Sequence, residues 1–331
     1  MKSSFLLTAP LSFVLTKLKL MQTILGAGGD ISNFLAKELK QFTSQIRLVS
    51  RNPQRVNADD TLMALDLSVR ENVLKAIEGS EIVYLVIGLK YDLRVWQAQW
   101  PVLVQHVIEG CLKYNCKLVF FDNIYMYDKG AIPNMTEESA MNPPSKKGKV
   151  RLQNVELIND AIKNKNLKAL IARSADFYGP SSKNGILNTL VLDNVAKGKK
   201  ANWQADVDKI HSFTYTPDAA KATALLGNTD SAYGQVWHLP TSAERLTGRQ
   251  FIKMATGMMN MKNSYMLLTP FLMSFIGIFN RTIKEIVEMQ YQNTQDYFFN
   301  SDKFCKTFSF TPTSYEDGMR EVLAQEKTSV Q

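Results

Sequence analysis

Short apolar runs alternate with longer amphipathic segments along the first half of the chain. Six of the runs predict β-strands, and the segments between them predict helices, because their apolar residues recur with helical spacing. The predicted strands cover residues 22–25, 46–50, 64–67, 82–87, 117–121 and 168–172, and the clearest helical patterns cover 70–78, 93–115 and 147–165. Near-continuous apolar strands between helices indicate a parallel sheet that is covered on both faces. The pattern therefore predicts an α/β fold, a Rossmann-type doubly wound parallel sheet with a smaller C-terminal part.

Three glycines separate the first predicted strand from the helix that follows it, at Gly26, Gly28 and Gly29. A glycine turn before a helix suits a phosphate, since the backbone can approach closely and free N–H groups point at the anion. Counted as Gly-x-Gly-x-x-Gly, the last small position falls on Ile31; counted as Gly-x-x-Gly-x-x-Gly, it falls on Ser32. The second count fits better, because serine is the smaller side chain. An ordinary turn between strand and helix is the alternative.

The second predicted strand ends in Ser50-Arg51 and not in an acidic residue. An acidic residue at this place binds the free 2′-hydroxyl of NAD, whereas serine and arginine suit a 2′-phosphate. The sequence therefore favours NADP, with NAD as the second choice. A solvated arginine in a turn is the alternative.

The 331 residues carry a net charge of +8, and 45% of them are hydrophobic. The basic residues lie in short clusters without interleaved aromatic residues, so we expect an anionic small molecule and not nucleic acid as the ligand. Three cysteines are too few for a disulfide framework, and the histidines lack the spacing of metal ligands, which indicates a reduced, cytoplasmic protein without a metal.

Two apolar stretches resemble targeting or membrane segments. Residues 1–20 lack a convincing cleavage site and precede the first strand, so we expect a disordered extension with Met21 as the natural start. The stretch 267–279 is short for a membrane span and contains Pro270 and Gly277, so a buried helix or a lid over a ligand is expected, and no membrane partner.

Several motifs occur in an order that resembles the extended short-chain dehydrogenase/reductase superfamily, and its NAD-dependent epimerase/dehydratase branch in particular. The motifs are Gly26-x-x-Gly29, Asp66, Leu85-Val86-Ile87-Gly88, Arg173-x-x-x-Phe177-Tyr178-Gly179-Pro180, His211-Ser-Phe-Thr-Tyr-Thr-Pro-Asp218 and Ser301-Asp-Lys-Phe304. The resemblance covers roughly residues 22–325. It implies an NAD(P)-binding Rossmann domain over 21–178 and a substrate-binding part over 179–325, some of whose segments return to the sheet.

The resemblance also implies positions for the ligands. Gly26, Gly28, Gly29 and Ile31 would line the pyrophosphate, Ser50 and Arg51 the 2′-phosphate, Asp66 the adenine and Gly88 the middle of the cofactor. Tyr178, Trp203 and His211 would reach a small polar substrate, such as a sugar or sugar nucleotide. A homodimer formed through the helices at 93–115 and 147–165 is usual in the superfamily.

The catalytic residues of the superfamily are replaced in this chain. The family uses a serine or threonine after the fifth strand and a Tyr-x-x-x-Lys on the next helix. Aligned on Tyr127, Asn123 takes the hydroxyl position, Lys147 the tyrosine position and Arg151 the lysine position. The resemblance is therefore to an atypical member of the superfamily.

The replacements leave several roles open. Arg151 can hold ribose hydroxyls, and its charge one helical turn from Lys147 would favour proton release by that lysine. Asn123 can orient a polar group, and Tyr125 or Tyr127 could supply a phenol. These roles predict an NAD(P)-dependent oxidoreductase or epimerase/dehydratase with an altered site. The alternatives are a catalytically weak redox sensor or regulator, a non-redox enzyme, and a purely structural role in which Lys147 and Arg151 are solvated and the tyrosines pack in the core.

Overall fold

The computed structural model describes residues 20–180 and 182–330, with side chains up to residue 325. The extension expected over residues 1–20 lies, apart from Leu20, outside the described residues. In chain order the strands are β1 (Met21–Leu25), β2 (Ile46–Ser50), β3 (Thr61–Ala64), β4 (Ser80–Leu85), β5 (Lys117–Asp122), β6 (Ala169–Arg173), β7 (Asp176–Tyr178), β8 (Ala201–Gln204), β9 (Phe213–Tyr215), β10 (Val236–His238) and β11 (Tyr265–Leu268). The helices are α1 (Asp30–Leu39), α2 (Arg70–Ile77), α3 (Leu93–Tyr114), α4 (Lys146–Lys165), α5 (Asp193–Ala196), α6 (Thr216–Gly227), α7 (Gly248–Met258), α8 (Pro270–Phe279), α9 (Arg281–Val287), α10 (Asp302–Phe308) and α11 (Tyr315–Val330).

The central sheet has seven parallel strands in the order β10-β6-β5-β4-β1-β2-β3. Helices α2, α3 and α4 cover one face, and α1 and α6 cover the other, each over its own apolar cluster. The alternation of apolar strands and amphipathic helices thus produces the predicted doubly wound α/β fold, which is confirmed.

The six predicted strands all lie in this sheet, and the ends of α2, α3 and α4 fall within one residue of the prediction. The third strand is the exception, because β3 begins three residues earlier and ends at Ala64. Asp66 therefore lies beyond the strand in the following turn. β10, which sequence analysis did not assign, forms one edge of the sheet beside β6.

The chain changes direction in the sheet at β1, which lies between β4 and β2. Segments that leave β1 and β4 at their carboxyl ends therefore diverge to opposite faces and leave a crevice between them. In open α/β sheets this switch point is the usual place for a ligand.

The C-terminal part has its own apolar core, which includes Trp203, Phe251 and Tyr315. Helix α8 lies at the surface of this part, and only Met273 and Gly277 in it are buried. The prediction of a buried helix at 267–279 is therefore wrong: α9 covers a narrow strip of α8, and the remaining apolar side chains face solvent. Among the described residues no helix is both long and apolar enough to cross a bilayer.

Candidate cofactor cleft and proton-transfer site

The turn after β1 requires glycine at two positions. Gly26 has a φ of +107°, and a Cβ there would lie 2.7 Å from the Cα of Ile87. Gly28 has a φ of +95°. Gly29 has ordinary extended backbone, ends the turn as the N-cap residue of α1, and would carry a side chain without close contact to the protein. The open space beside Gly28 and Gly29 suits a group that approaches the backbone closely, as a pyrophosphate does.

Ser32 stabilises this turn. Its Oγ accepts a hydrogen bond from the Gly28 N–H and donates one to the Gly29 carbonyl, both at 2.9 Å. The hydroxyl thus holds the turn in shape at the position where the family pattern has a third small residue. Ile31 packs in the apolar core beneath α1. We call Gly26, Gly28, Gly29 and Ser32 the glycine cradle.

A cavity of about 740 Å³ opens at the glycine cradle, between the ends of β1 and β4. Its volume is in the range of small-molecule and cofactor sites. It is lined by Gly26, Ala27, Gly28, Gly29, Ser50, Arg51, Leu65, Asp66, Leu67, Ser68, Ile87, Gly88, Leu89, Lys90, Val95, Ala98, Gln99, Val102, Leu103 and Asn184. The structure therefore brings together all the residues that were predicted to bind the cofactor, apart from Ile31 and Arg151.

One end of the cavity carries charged groups on two turns, after β2 and after β3. Asp66 accepts a hydrogen bond from the Ser68 N–H at 2.9 Å, and this bond, with the nearby Arg51, holds the pKa of its carboxyl below the usual value. Arg51 is exposed at the end of β2, where its guanidinium is accessible to an anion. This end suits a ligand with an aromatic base and a negatively charged group.

Lys147 lies in the first turn of α4 and is fully buried. Its Nζ donates hydrogen bonds to the Glu285 carbonyl and to Glu288 Oε2, both at 3.0 Å, and forms an ion pair with the Glu285 carboxylate. These three acceptors match the three N–H donors of an ammonium group. In this arrangement the lysine has no proton directed at a substrate.

Arg151, one turn further along α4, is also buried and paired. Its Nε donates to Asp122 Oδ1 at 2.9 Å, and its guanidinium carbon lies 4.4 Å from the ring centroid of Trp100. Asp122 ends β5 and also pairs with Arg173. The guanidinium thus points into the core between α3 and the sheet, and we call Lys147 and Arg151 with their acidic partners Glu285, Glu288 and Asp122 the lysine corner.

Tyr127 is buried, and its hydroxyl lies 2.6 Å from Nε2 of His238. The other ring nitrogen of His238 lies 2.7 Å from the Asn300 carbonyl and must donate to it. Burial lowers the pKa of His238 well below its usual value. Its Nε2 is therefore unprotonated and accepts a hydrogen bond from the Tyr127 hydroxyl. Burial also raises the pKa of Tyr127. The Tyr127 phenol is therefore committed to a structural hydrogen bond.

Asn123 and Tyr125 follow directly after β5. Asn123 Oδ1 accepts from the Tyr125 N–H at 3.0 Å, while the Tyr125 hydroxyl lies 3.5 Å from that of Tyr91. Burial raises the pKa of both phenols. Tyr91 and Tyr125 thus form a phenol pair, with Tyr91 packing its ring 5.0 Å from the Lys147 ammonium.

The three residues predicted to reach the substrate are all buried. Tyr178 packs against Tyr215 and Tyr315, and Trp203 stacks on Phe251. His211 places Nε2 2.9 Å from Asp176 Oδ2 and stacks on the ring of Tyr297. They belong to the core of the C-terminal part or its edge, and none of them lines the cavity at the glycine cradle.

Sequence analysis did not find the acidic residues of the lysine corner. Glu285 and Glu288 lie 138 and 141 residues after Lys147, and no local pattern links them to it. Their spacing of three residues at the end of α9, which places both on one helical face, is the one signal that the chain offers. Asp122 was visible as the acidic end of a strand but was not assigned.

The sequence model of the NAD-dependent epimerase/dehydratase family matches residues 23–238. The chain belongs to this family. No curated protein sequence matches it. Among solved structures, UDP-glucose 4-epimerase from Thermotoga maritima superimposes with a TM-score of 0.76 at 14% identity, covering 94% of this chain and 100% of the epimerase. The dTDP-glucose 4,6-dehydratase from Streptomyces venezuelae, solved with NAD, gives a TM-score of 0.73 at 13% identity, covering 93% and 97%.

UDP-N-acetylglucosamine 4-epimerase from Bacillus cereus is similar to the same extent, with a TM-score of 0.73, 15% identity and coverage of 92% and 96%. At such identities the likeness concerns the fold. The family membership confirms the predicted superfamily, and the alignments cover 96–100% of each of these structures.

Proposed function

We propose that the protein binds NADP in the cavity at the glycine cradle and acts on a small polar substrate, a sugar or sugar nucleotide, in an oxidoreductase or epimerase/dehydratase reaction. The observation that supports this most is the pair of left-handed glycines that open a cavity of about 740 Å³ at the switch point of the sheet. The family and the similarity to structures solved with NAD or UDP-glucose agree with it.

In this proposal each end of the cavity has its own role. The backbone of Gly28 and Gly29 and the N-terminus of α1 would hold the pyrophosphate, while Ser50 and Arg51 would contact the 2′-phosphate and Asp66 the adenosine. Bound NADP would supply a hydride acceptor or donor. The chain would supply the proton chemistry, for which Lys147 and the phenol pair of Tyr91 and Tyr125 are the candidates.

The test of cofactor choice is a calorimetric titration with NADP and with NAD. We expect tighter binding of NADP, and we expect Arg51→Ala to weaken NADP binding but to leave NAD binding unchanged. Arg94→Ala, which removes an exposed arginine outside the cavity, is the matched control. Equal affinities for the two cofactors would contradict the preference, and no binding of either would contradict the proposed function.

A second candidate is a cofactor-binding sensor or regulator with little catalysis. The observation that favours it is that Lys147 and Arg151 are both held in buried ion pairs. A screen of sugar nucleotides and sugars with protein saturated by NADP decides between the two, because a sensor would bind NADP without turnover of any of them.

The homodimer through α3 and α4 also remains a prediction. The two helices pack against each other, and Val102 and Leu112 on α3 are exposed. Sedimentation equilibrium measures it directly, and we expect the mass of a dimer.

A further inference from the structure

Helix α8 presents an apolar face to solvent. Its exposed residues have the spacing of a single helical face, one turn to the next. They are Phe271, Phe275, Ile278 and Phe279, exposed by 84%, 57%, 72% and 81%. A contiguous apolar surface that is exposed to solvent is often an interaction site, whereas single exposed apolar residues are ordinary.

The surrounding structure fixes α8 in this orientation. Thr269 caps its start and Asn280 caps the start of α9, so the two helices form a tight hairpin. At Gly277 the helices approach so closely that a Cβ would lie 3.2 Å from the Cα of Lys284. The buried strip of α8 is therefore committed to α9, and the phenylalanine face is directed outward.

The segment of the chain that contains α8 carries an excess of basic residues. From residue 245 to residue 284 the chain contains no aspartate or glutamate but six basic residues: Arg245, Arg249, Lys253, Lys262, Arg281 and Lys284. Arg249 and Arg281 form ion pairs with Asp208 and Asp92. Lys253, Lys262 and Lys284 have exposed side chains, so the segment has an excess of positive charge at the surface.

We propose that α8 docks on a membrane surface that carries anionic lipid headgroups. The phenylalanine face would enter the interface between headgroups and acyl chains, and the exposed lysines would lie at the level of the phosphates. The helix measures about 15 Å at 1.5 Å per residue, half of the roughly 30 Å of a hydrocarbon core, so it lies in the surface and does not cross the bilayer.

Charge and side-chain chemistry favour lipid over a protein partner. The exposed face offers hydrocarbon rings and branched chains, and its neighbours in the segment 245–284 offer cations without a single acidic group. A lipid surface has the complementary layering, anionic outside and apolar beneath. Docking through α8 does not depend on the reaction that the protein is proposed to catalyse.

The test is cosedimentation of the full chain with vesicles of phosphatidylcholine containing phosphatidylglycerol, and with vesicles of phosphatidylcholine alone. We expect binding to the first, weaker binding to the second, and loss of binding as salt is added. Phe271→Ser combined with Phe279→Ser should lower partitioning about tenfold or more, since two aromatic rings no longer enter the interface. Val69→Ser, at an exposed apolar position just before α2, should leave it unchanged.

A second pair of variants tests the charges, with the same change in net charge in both. Lys262→Glu with Lys284→Glu should lower binding to the anionic vesicles about tenfold or more, whereas Lys75→Glu with Lys163→Glu, on α2 and α4, should lower it less. Thermal melting checks that each variant is folded. Absence of vesicle binding, equal binding to both vesicles, or equal effects of the two charge pairs would overturn the proposal. So would conversion of a dimer to a monomer by the phenylalanine variant, which would identify the face as a contact between two copies.

Discussion

The glycine cradle and the lysine corner lie at the carboxyl ends of neighbouring parts of one sheet, yet they are built in opposite ways. In the cradle, backbone N–H groups and glycine surfaces face an open cavity, and a single hydroxyl, that of Ser32, holds the turn. In the corner, each cationic side chain is buried and already paired with a carboxylate of the same chain.

This difference separates two requirements of a cofactor-dependent enzyme. A site for a dinucleotide needs an open approach to the backbone at a helix N-terminus, and the cradle provides it at the start of α1. A proton-transfer site needs a group that can exchange a proton with the substrate, and the corner holds its lysine with all three donors engaged. Catalysis at Lys147 would therefore require α9 to move its two glutamates away.

The largest expected effect comes from Lys147→Met. If Lys147 transfers the proton, turnover of any substrate should fall by about 10²–10⁴-fold. The variant should also lose about 3–5 kcal/mol of unfolding free energy, because Glu285 and Glu288 lose their buried partner. Steady-state kinetics and urea unfolding measure the two effects separately.

A matched variant distinguishes the two roles of Lys147. Lys147→Met combined with Glu285→Gln and Glu288→Gln removes the unpaired charges and should recover most of the stability. Turnover should stay low if the lysine acts in catalysis. Turnover that returns with stability would show that the lysine has only a structural role.

Gly29→Val tests the other region. A Cβ there would lie 3.8 Å from the Gly26 carbonyl oxygen, an ordinary contact, and Gly29 lines the cavity, so the fold should remain while the pyrophosphate is blocked. The loss of even one hydrogen bond to a charged group, about 1.5–3 kcal/mol, lowers affinity roughly tenfold to a hundredfold. Calorimetry with NADP checks it, with thermal melting as the control. Unchanged affinity would place the pyrophosphate elsewhere.

The pH dependence of the unfolding free energy tests the buried hydrogen bonds of His238 with Tyr127 and Asn300. Above pH 6.5, the usual pKa of histidine, His238 is neutral in the native and the unfolded chain. Below it the unfolded chain takes up a proton that the buried ring does not, so stability should fall by up to about 1.4 kcal/mol per pH unit until the native pKa is reached.

Urea unfolding between pH 7.5 and pH 5, a window of roughly two pH units around the histidine pKa, measures this slope. His238→Gln retains an acceptor for the Tyr127 hydroxyl and should flatten the slope. The same slope in wild type and His238→Gln would mean that another group titrates.

The contrast between the two regions also explains what the sequence could predict. The cradle depends on residues within one turn, so Gly26 and Ser32 could be assigned from spacing alone, as could the six strands. The end of β3 was misplaced because Leu65 and Leu67 continue the apolar pattern beyond Ala64, where the strand ends.

The lysine corner could not be predicted in the same way. The partners of Lys147 come from α9, and only the folded chain brings them together. The exposure of α8 could not be predicted for a related reason. An apolar run such as Phe275 to Phe279 shows that burial would be favourable, but it does not show whether another part of the fold buries it.

The smallest expected effect comes from Ser32→Ala in the cradle. The variant loses the hydrogen bonds to Gly28 and Gly29, which should cost about 0.5–1.5 kcal/mol of unfolding free energy. The freed Gly28 N–H can then donate to a bound phosphate. NADP affinity should therefore remain within about threefold of wild type, a smaller change than the loss of one hydrogen bond to a charged group would cause. Urea unfolding and calorimetry measure the two quantities. A tenfold loss of affinity at unchanged stability would show that the Ser32 hydroxyl binds the cofactor directly, and the cradle would then resemble the lysine corner in using a side chain and not backbone alone.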